Sequence, residues 1–487
     1  MNLEVPSRRG RRRRLGVRLG AAALAAAAAI PALTACSDSY EAGVINIYAP
    51  ADGFDFITQV AETCSADSGG QYRIATHMLP KEADGQRLQL ARRLAGNDHR
   101  MDLMAMDVVW TAEFADADWL VPVPDDLAAG LEKTNLGGPL ETAKWQREDD
   151  AAKRLYAVPI WTNTQLLWYR PDLMRTSLGS AKPPQTWDEM LSDTKRIGEA
   201  GGPRQILLQA KQYEGLMVWF NSLLASAGGS VLDPDDPTKV TLTDTPEHRA
   251  ATVEALRVMK AVATAPGHDP SITNSDESSA RTGMERGDGA FEINWPFVFA
   301  GARENGVAGE APFLGDSLVR YRSIVEAAAD NPTDPQLETV NNALRKRFNF
   351  ALYPGISDDL PARSTPGGLN IGVASTSKQA DLAFTAAKCL TSADAQKIYA
   401  VQGGTPPTIA SLYDDPDFKI VYPMGDDIRD QLEADRAAPR PASPRYQEIS
   451  TAVTAALSPV GSWNPEKMAD ELATQVKRAV KGEGIVP

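Results

Sequence analysis

The first 35 residues constrain this chain more than any other stretch, because they decide where it folds. A segment with seven Arg leads into an apolar, Ala-rich segment over residues 19–35. This pattern is typical of a secretory signal, and the apolar part is too short to span a membrane stably as a helix. We therefore expect residues 1–35 to be a signal peptide and the remainder to fold outside the cytoplasm.

A Cys follows Leu33-Thr34-Ala35 directly, at the end of the apolar segment. This arrangement resembles the lipobox of bacterial lipoproteins. The resemblance implies that Cys36 is acylated on its sulfur and cleaved on its amino side, and several acyl chains on one residue hold a protein at a membrane stably. Residues 36–43 would then be a lipidated tether on the outer face of the cytoplasmic membrane. The alternative is an unmodified Cys beside an ordinary cleavage site.

The charge balance excludes some partners. The whole chain carries a net charge of -14, and residues 1–35 contribute seven Arg and one Glu, so the rest carries -20. Binding to phosphate groups needs a basic surface, which argues against nucleic acid and anionic lipid as partners. The remaining length is enough for two core-forming units, and we expect a monomer.

Two further cysteines, Cys64 and Cys389, occur in the part that folds outside the cytoplasm. In an oxidising compartment two remaining thiols usually pair, so we expect a disulfide between a helix near the start and a helix late in the chain. The alternative is two buried, unpaired cysteines that act as small apolar residues.

The order of the predicted elements indicates an α/β fold. Predicted strands at residues 44–48, 72–78 and 102–106 alternate with helices. Such alternation predicts a parallel-rich sheet whose ligand crevice lies at the carboxyl ends of the strands. A second set of strands alternates with longer helices, at residues 155–159, 165–169, 206–209 and 289–294.

Motifs for metal binding and catalysis are missing from the sequence. The chain has four His, and no two of them have metal-ligand spacing. Residues 315–318 spell Gly-Asp-Ser-Leu, as in one esterase family, but no His occurs after His268. Phosphate loops, dinucleotide fingerprints and the G-x-S-x-G elbow are also missing. We expect no metal, no cofactor and no enzyme activity, while the many carboxylates leave a glycoside hydrolase of the cell envelope as an alternative.

Aromatic residues stand at predicted strand ends, beside polar residues. A sugar has apolar C–H faces and a rim of hydroxyls, so a sugar-binding site combines stacked rings with carboxylates, amides and Arg. The alternative for each ring is ordinary core packing. The aromatic residues in question are Trp110, Trp161, Trp168, Trp295 and Phe297.

Several motifs carry a resemblance to a known family. Residues 156–159, residues 168–170 and the string Ala-Phe-Glu-Ile-Asn-Trp-Pro at 290–296 resemble extracytoplasmic solute-binding proteins of the maltose-binding type. Residues 51–56 and the string Met-Asp-Val-Val-Trp-Thr-Ala-Glu-Phe at 106–114 are similar to the trehalose-binding lipoproteins of mycobacteria. Those lipoproteins serve an ATP-driven sugar importer.

The resemblance implies a two-lobed periplasmic-binding-protein fold of type II, with the ligand cleft between the lobes. Crossovers between the lobes are expected near residues 159–164 and 294–295. The expected division gives residues 44–160 plus 296–370 to lobe 1 and residues 161–295 plus 371–487 to lobe 2.

The resemblance also implies a set of ligand-binding residues. Asp107 would accept hydrogen bonds from sugar hydroxyls, Asn163 would offer both a donor and an acceptor, and Trp295 would stack on a sugar ring. Glu277 would reach in from the second lobe, and Arg440, between two prolines, would fork onto hydroxyl oxygens. Two further contributors are implied, Asp52 and Gly368.

Each polar residue also has a purely structural alternative. Asp107 would cap a following helix, Asn163 would satisfy the backbone of a turn, and Arg440 would lie on the surface. Glu277 would pair with Arg281, four residues further along the same helix.

The function implied by the resemblance is that of a substrate-binding protein of an ABC transporter. It would bind a disaccharide, trehalose first, and deliver it to the permease, whose membrane subunits work with a cytoplasmic ATPase. The alternatives within the binding class are a maltose-like oligosaccharide and a glycerophosphodiester. A lipoprotein that binds a protein partner is a further alternative.

Overall fold

The structure, a computed structural model, describes residues 40–483 except 52, 82 and 434. The expected signal peptide, the lipidation residue Cys36 and the candidate ligand residue Asp52 lie outside the described residues. Within the described ranges, no helix combines the length and apolar character that crossing a membrane requires.

Eleven β-strands occur in the described residues. They are β1 (Val44–Ala49), β2 (Arg73–Met78), β3 (Leu103–Asp107), β4 (Lys144–Trp145), β5 (Arg154–Leu155), β6 (Ala157–Asn163), β7 (Leu166–Tyr169), β8 (Gln205–Leu207), β9 (Gly289–Asn294), β10 (Asn349–Ala351) and β11 (Gly367–Val373). The predicted strands in the first 110 residues agree with these bounds to within one residue at each end, because short buried runs of apolar and β-branched residues mark them clearly.

Nineteen α-helices occur in the same part of the chain. They are α1 (Phe54–Asp67), α2 (Ala83–Ala95), α3 (Thr111–Asp116), α4 (Asp125–Thr134), α5 (Gly137–Thr142), α6 (Pro171–Leu178), α7 (Trp187–Glu199), α8 (Glu214–Ser226), α9 (Pro246–Ala263), α10 (Glu277–Arg286), α11 (Phe297–Ala308), α12 (Arg322–Ala327), α13 (Gln336–Leu344), α14 (Ala380–Leu390), α15 (Ala393–Val401), α16 (Pro416–Val421), α17 (Gly425–Leu432), α18 (Tyr446–Leu457) and α19 (Pro465–Val480). Side-chain caps start several of them, and Thr245 and Asn464 each precede a Pro at the first helical position.

The first sheet has five strands in the order β2-β1-β3-β11-β6. β1 runs parallel to β2 and β3, whereas β11 runs antiparallel to both β3 and β6. Helices α1 and α14 pack beside this sheet, and Ile47, Met104 and Phe384 belong to one apolar cluster there. Asp107 is the last residue of β3 and therefore lies at the carboxyl edge of the sheet.

The second sheet has four strands in the order β10-β7-β9-β8. Because successive residues of a strand face opposite sides, β7 contributes Leu167 to one core and Trp168 to another. The first of these cores includes Phe220 of α8 and Leu256 of α9. The second includes Phe299 of α11. A third, two-stranded sheet pairs β4 with β5. The α/β architecture with two larger sheets agrees with the expected two-lobed fold.

The sheets do not follow the expected lobe boundaries everywhere. The expected division gives residues 349–351 to lobe 1, but this strand, β10, pairs with β7 in the second sheet. The expected division also splits β11 at residue 370, whereas the whole of β11 lies in the first sheet. The chain therefore returns to the first sheet between β10 and β11, and not near residues 294–295 as expected. The sequence shows where strands occur, but both partners of β11 lie more than 200 residues away in the chain.

β6 is longer at its carboxyl end than its sequence suggests. The prediction ended this strand at Pro159, but β6 continues to Asn163 by pairing with β11. The register shifts between Leu369 and Asn370 of β11, opposite Trp161 and Pro159. A bulge at this point accommodates Pro159, which has no backbone N–H to donate to the ladder.

A disulfide bond joins Cys64 of α1 to Cys389 of α14, with the two Cα atoms 6.0 Å apart. The two cysteines are 325 residues apart in sequence. A cross-link that closes so long a segment restricts the unfolded chain strongly, so we expect the variant C64A/C389A to lose about 3–5 kcal/mol of unfolding free energy. Urea unfolding measures this loss, and reduced wild-type protein is the control with unchanged side-chain volume. Recovery of both cysteines as free thiols from unreduced wild-type protein would contradict the bond.

Candidate ligand-binding cleft

Asp107 lies where β3 ends and a short 3-10 turn, Val108–Trp110, begins. Its Oδ1 accepts a hydrogen bond from the backbone N–H of Val109 at 3.2 Å and lies 3.3 Å from Nη2 of Arg440. Burial raises the pKa of Asp107, the charge of Arg440 opposes this rise, and the charge of Glu214 adds to it. Asp107 therefore both caps the turn, as its structural alternative predicted, and contacts a second candidate residue.

Arg440 is held between two carboxylates, and its side chain is only 4% exposed. Nη1 donates to Oε1 of Glu214 at 2.6 Å and Nη2 donates to Asp107. Burial opposes the charge of Arg440, but nearby Tyr446, Asp107 and Glu214 together raise its pKa, so the guanidinium stays charged. The structural alternative, in which Arg440 lies on the surface, is therefore wrong.

Glu214 is a member of this cluster that the sequence analysis missed. It is the first residue of α8, and its carboxylate also accepts hydrogen bonds from the hydroxyls of Tyr446 and Ser450. Burial and the adjacent charge of Glu214 raise the pKa of Tyr446 well above its usual value. An acidic residue in the first turn of a helix is common, so nothing in its sequence context distinguishes Glu214 from an ordinary helix start.

Arg440 joins the two sheets through these contacts. Asp107 ends a strand of the first sheet, whereas Glu214 begins a helix that packs into a core of the second. The segment before Arg440 is fixed as well, because Nδ2 of Asn221 donates to the carbonyl of Ala438 at 2.9 Å. The cluster of Asp107, Arg440 and Glu214 therefore bridges the two halves of the molecule.

Trp295 follows β9 directly, and its side chain is half-buried. Its backbone N–H donates to Oδ1 of Asn294 at 2.9 Å. The indole lies against the backbone of Gly367, where an added Cβ would be 3.2 Å from Cη2 of the ring. Gly367 pairs with Asn163 in the ladder between β11 and β6. The structure thus brings Trp295 and Asn163 together at one strand end of the first sheet.

Asn163 has one hydrogen-bonding group engaged and one available. Its Oδ1 accepts from the backbone N–H of Thr164 at 3.0 Å, which is the turn role given as its alternative. Among the described residues, no hydrogen bond involves its Nδ2. Because the side chain is half-buried beside Gly367, this amide can donate to a ligand.

Glu277 begins α10 and contacts Tyr213, a second residue that the sequence analysis missed. The hydroxyl of Tyr213 donates to Oε2 of Glu277 at 2.6 Å, and burial together with the charge of Glu277 raises the pKa of Tyr213. The alternative pairing with Arg281 is wrong, because Nη1 of Arg281 lies 3.7 Å from Glu285 instead. Tyr213 directly precedes Glu214, so the start of α8 contacts both Glu277 and Arg440.

Gly368 has a role in the backbone. Its φ angle is 124°, and an added Cβ would lie 2.3 Å from the carbonyl oxygen of Trp161, so only glycine fits. Trp161 is buried, and its ring lies against Gly53, which directly follows the undescribed Asp52. The structure therefore places Gly368 as a packing residue behind the strand end that carries Asn163.

Two groups of candidate residues adjoin the segment 366–367: the cluster around Arg440, and the pair of Trp295 and Asn163. Val109, Pro366 and Arg440 line one small cavity, and Gly367 touches Trp295. Carboxylates, an amide, a guanidinium and a half-buried indole thus come together, which is a suitable set for a neutral ligand with many hydroxyls. In the described ranges, no group of three or more His, Cys, Asp or Glu could hold a metal ion.

The chain is similar in sequence to bacterial solute-binding proteins. The model of the family described as bacterial extracellular solute-binding protein matches residues 81–397. A probable ABC transporter-binding protein of Deinococcus radiodurans is 26% identical over 427 residues, which cover 83% of this chain and 85% of that protein.

Solved structures show the same fold. Maltose-bound MalE3 of T. maritima has a TM-score of 0.69 and 24% identity, with 89% of this chain and 99% of that chain covered. The cyclic α-maltosyl-1,6-maltose binding protein of Arthrobacter globiformis has a TM-score of 0.66 and 20% identity, with 90% and 99% covered. These relatives are solute-binding proteins and not enzymes, so the glycoside hydrolase alternative finds no support. The family match covers well over half of the sequence, and the chain therefore belongs to the bacterial extracellular solute-binding proteins.

Proposed function

We propose that this protein is the sugar receptor of an ABC importer and that it binds a disaccharide, trehalose first, in the cleft between its lobes. The observation that carries this proposal is the contact of Arg440 with Asp107, which ends a strand of the first sheet, and with Glu214, which begins a helix packed on the second. A ligand that bonds to groups on both lobes stabilises their closed arrangement. The permease would then recognise the closed form.

The choice of a sugar is supported by the chemistry of the cleft. A buried Arg and half-buried carboxylates recognise hydroxyl groups well, because a ligand that lacks a hydroxyl leaves them unpaired. The negative charge of the chain and the carboxylates of the cleft disfavour a glycerophosphodiester. The similar structures from T. maritima and Arthrobacter globiformis bind maltose and a cyclic maltosyl-maltose, which supports a maltose-like ligand as the second candidate. Trehalose is supported by the strings at 51–56 and 106–114, which are similar to trehalose-binding lipoproteins of the LpqY type.

Thermal unfolding in the presence of candidate ligands tests the proposal. A ligand that binds only the folded protein raises the midpoint temperature in proportion to the logarithm of its concentration. We expect trehalose to raise it clearly, and maltose, sucrose and glycerophosphocholine to raise it less at equal concentration. A larger rise with maltose would favour the second candidate, and no rise with any of the four would contradict a disaccharide receptor.

The proposed lipid anchor on Cys36 has its own test. Without the thiol no acyl chain can be attached, so the variant Cys36→Ser is expected to leave the membrane fraction, whereas wild-type protein stays in it. The control is Ser37→Ala, the neighbouring residue, which leaves the thiol intact. Equal membrane association of Cys36→Ser and wild-type protein would contradict the anchor.

A further inference from the structure

Glu292 is an acid in the middle of β9 whose side chain is fully buried. Its Oε1 accepts a hydrogen bond from Nδ2 of Asn294 at 2.7 Å, and in the described part of the chain its Oε2 has no hydrogen-bond partner. Its neighbours across the sheet are Trp168 of β7 and Leu207 of β8, which carry no charge. A charged carboxylate without a counter-ion is very costly in such surroundings.

The charged groups that face Glu292 come from α10. They are Glu285 and Arg281, whose Nη1 lies 3.7 Å from Oε1 of Glu285, so these two largely balance each other. Burial raises the pKa of Glu292 to about 8, the hydrogen bond from Asn294 opposes this rise, Glu285 adds to it, and Arg281 opposes it. Glu292 is therefore mostly an uncharged acid at neutral pH.

Asn294 links Glu292 to the cleft. Besides Glu292, its Nδ2 donates to the backbone carbonyl of Glu277 at 3.0 Å, and its Oδ1 accepts from the backbone N–H of Trp295 at 2.9 Å. Its backbone carbonyl accepts from the indole N–H of Trp168 at 2.8 Å. The orientation of one buried amide thus sets the backbone positions of two candidate ligand-binding residues.

We propose that Glu292 is a positioning residue of the cleft: as an uncharged acid it fixes the amide of Asn294, which in turn fixes Trp295 and Glu277. Ionisation of Glu292 would place a negative charge without a counter-ion in the core. The residues around Glu292 would then move so that this charge is less isolated. The cleft would then lose its binding geometry at alkaline pH. The effect on ligand affinity rests on the proposed function, but the effect on the position of Trp295 does not.

The experiment follows Trp295 and sugar affinity separately as the pH rises. Protein labelled with 5-fluorotryptophan gives one fluorine resonance for each Trp, and Trp295→Phe assigns that of Trp295. In wild-type protein we expect this resonance to shift with a midpoint near pH 8. We expect trehalose affinity to fall about tenfold or more from about pH 7 to about pH 9.5.

Two variants test the assignment to Glu292. Glu292→Gln keeps an oxygen that accepts from Asn294 but cannot ionise, so neither the fluorine shift nor the affinity should change over this pH range. Glu285→Gln removes the negative charge that raises the pKa of Glu292, so the midpoint should move to lower pH. Circular dichroism at each pH verifies that every variant remains folded.

A Trp295 resonance that does not respond to pH in wild-type protein, or responds equally in Glu292→Gln, would overturn the proposal. If the resonance titrates in wild-type protein and not in the variant, while no sugar binds at any pH, the positioning role is supported and the proposed ligand is wrong. A fall in affinity shared by wild-type protein and Glu292→Gln would assign the pH dependence to another group and overturn the proposal.

Discussion

Trp295→Ala is expected to weaken disaccharide binding by about 2–3 kcal/mol, which corresponds to about 30- to 150-fold in the dissociation constant. The indole is half-buried at the end of β9, and the Cη2 edge of its ring lies against Gly367. Removing the ring takes away the apolar surface on which a sugar face can stack. Isothermal titration of wild-type and variant protein measures the difference.

Trp119 offers a matched control for the loss of a half-buried indole. It packs against Phe114 with ring centroids 5.5 Å apart, and within the described residues no hydrogen bond or ring contact joins it to a candidate ligand residue. Trp119→Ala should therefore lower stability without a comparable loss of affinity. A Trp295→Ala variant that binds within about threefold of wild-type protein would show that the ring does not contact the ligand.

Arg440→Met is expected to lower the free energy of unfolding by about 3–5 kcal/mol and to abolish measurable sugar binding. The substitution keeps an apolar stem but leaves Asp107 and Glu214 without the cation that both contact. Two half-buried carboxylates are then left near each other without a cation, and the link between the two sheets is lost. Urea unfolding and isothermal titration of the same preparation measure the two effects.

The pH dependence of Arg440→Met identifies the cause of its instability. Burial and Glu214 raise the pKa of Asp107 in the folded protein, and the loss of Arg440 removes the main opposing charge. A carboxyl whose folded pKa is raised stabilises the fold at low pH and loses this contribution as the pH rises. The deficit should therefore be smaller near pH 5 than near pH 8. A deficit that is the same at both values would contradict this explanation.

Arg170 provides the matched control for a buried guanidinium. It is 6% exposed and pairs with one carboxylate, that of Asp172, at 2.7 Å. Arg170→Met should cost stability but leave the affinity for sugar close to that of wild-type protein, because its ion pair lies outside the candidate cleft. Equal losses of affinity in Arg170→Met and Arg440→Met would mean that the loss of affinity reflects only the lower stability of the fold.

The sequence predicts individual strands better than it predicts their neighbours. Runs such as β1 and β3 are short, apolar and followed by polar loops, so their bounds can be predicted from local pattern alone. The position of β11 between β3 and β6 depends on contacts with residues more than 200 positions away, and no local pattern encodes them. For the same reason the expected lobe boundaries differ from the sheets at β10 and β11.

In the candidate site, too, the sequence predicts single residues better than the contacts between them. The resemblance suggested Asp107 and Arg440 separately, and the structure brings them into contact across 333 positions of sequence. Glu214 and Tyr213 were missed because both stand at an ordinary helix start. Glu292 was missed because a single acid inside an apolar strand gives no sign of whether it is buried, exposed or paired.

The most direct test of the receptor proposal is isothermal titration of the chain from Ser37 onward, which includes every described helix and strand, with trehalose, maltose, sucrose and glycerophosphocholine. We expect saturable binding of trehalose, much weaker binding of the other three ligands, and loss of the heat in Trp295→Ala. No heat with any of the four ligands, in protein shown to be folded, would contradict the proposal that this protein is a disaccharide receptor.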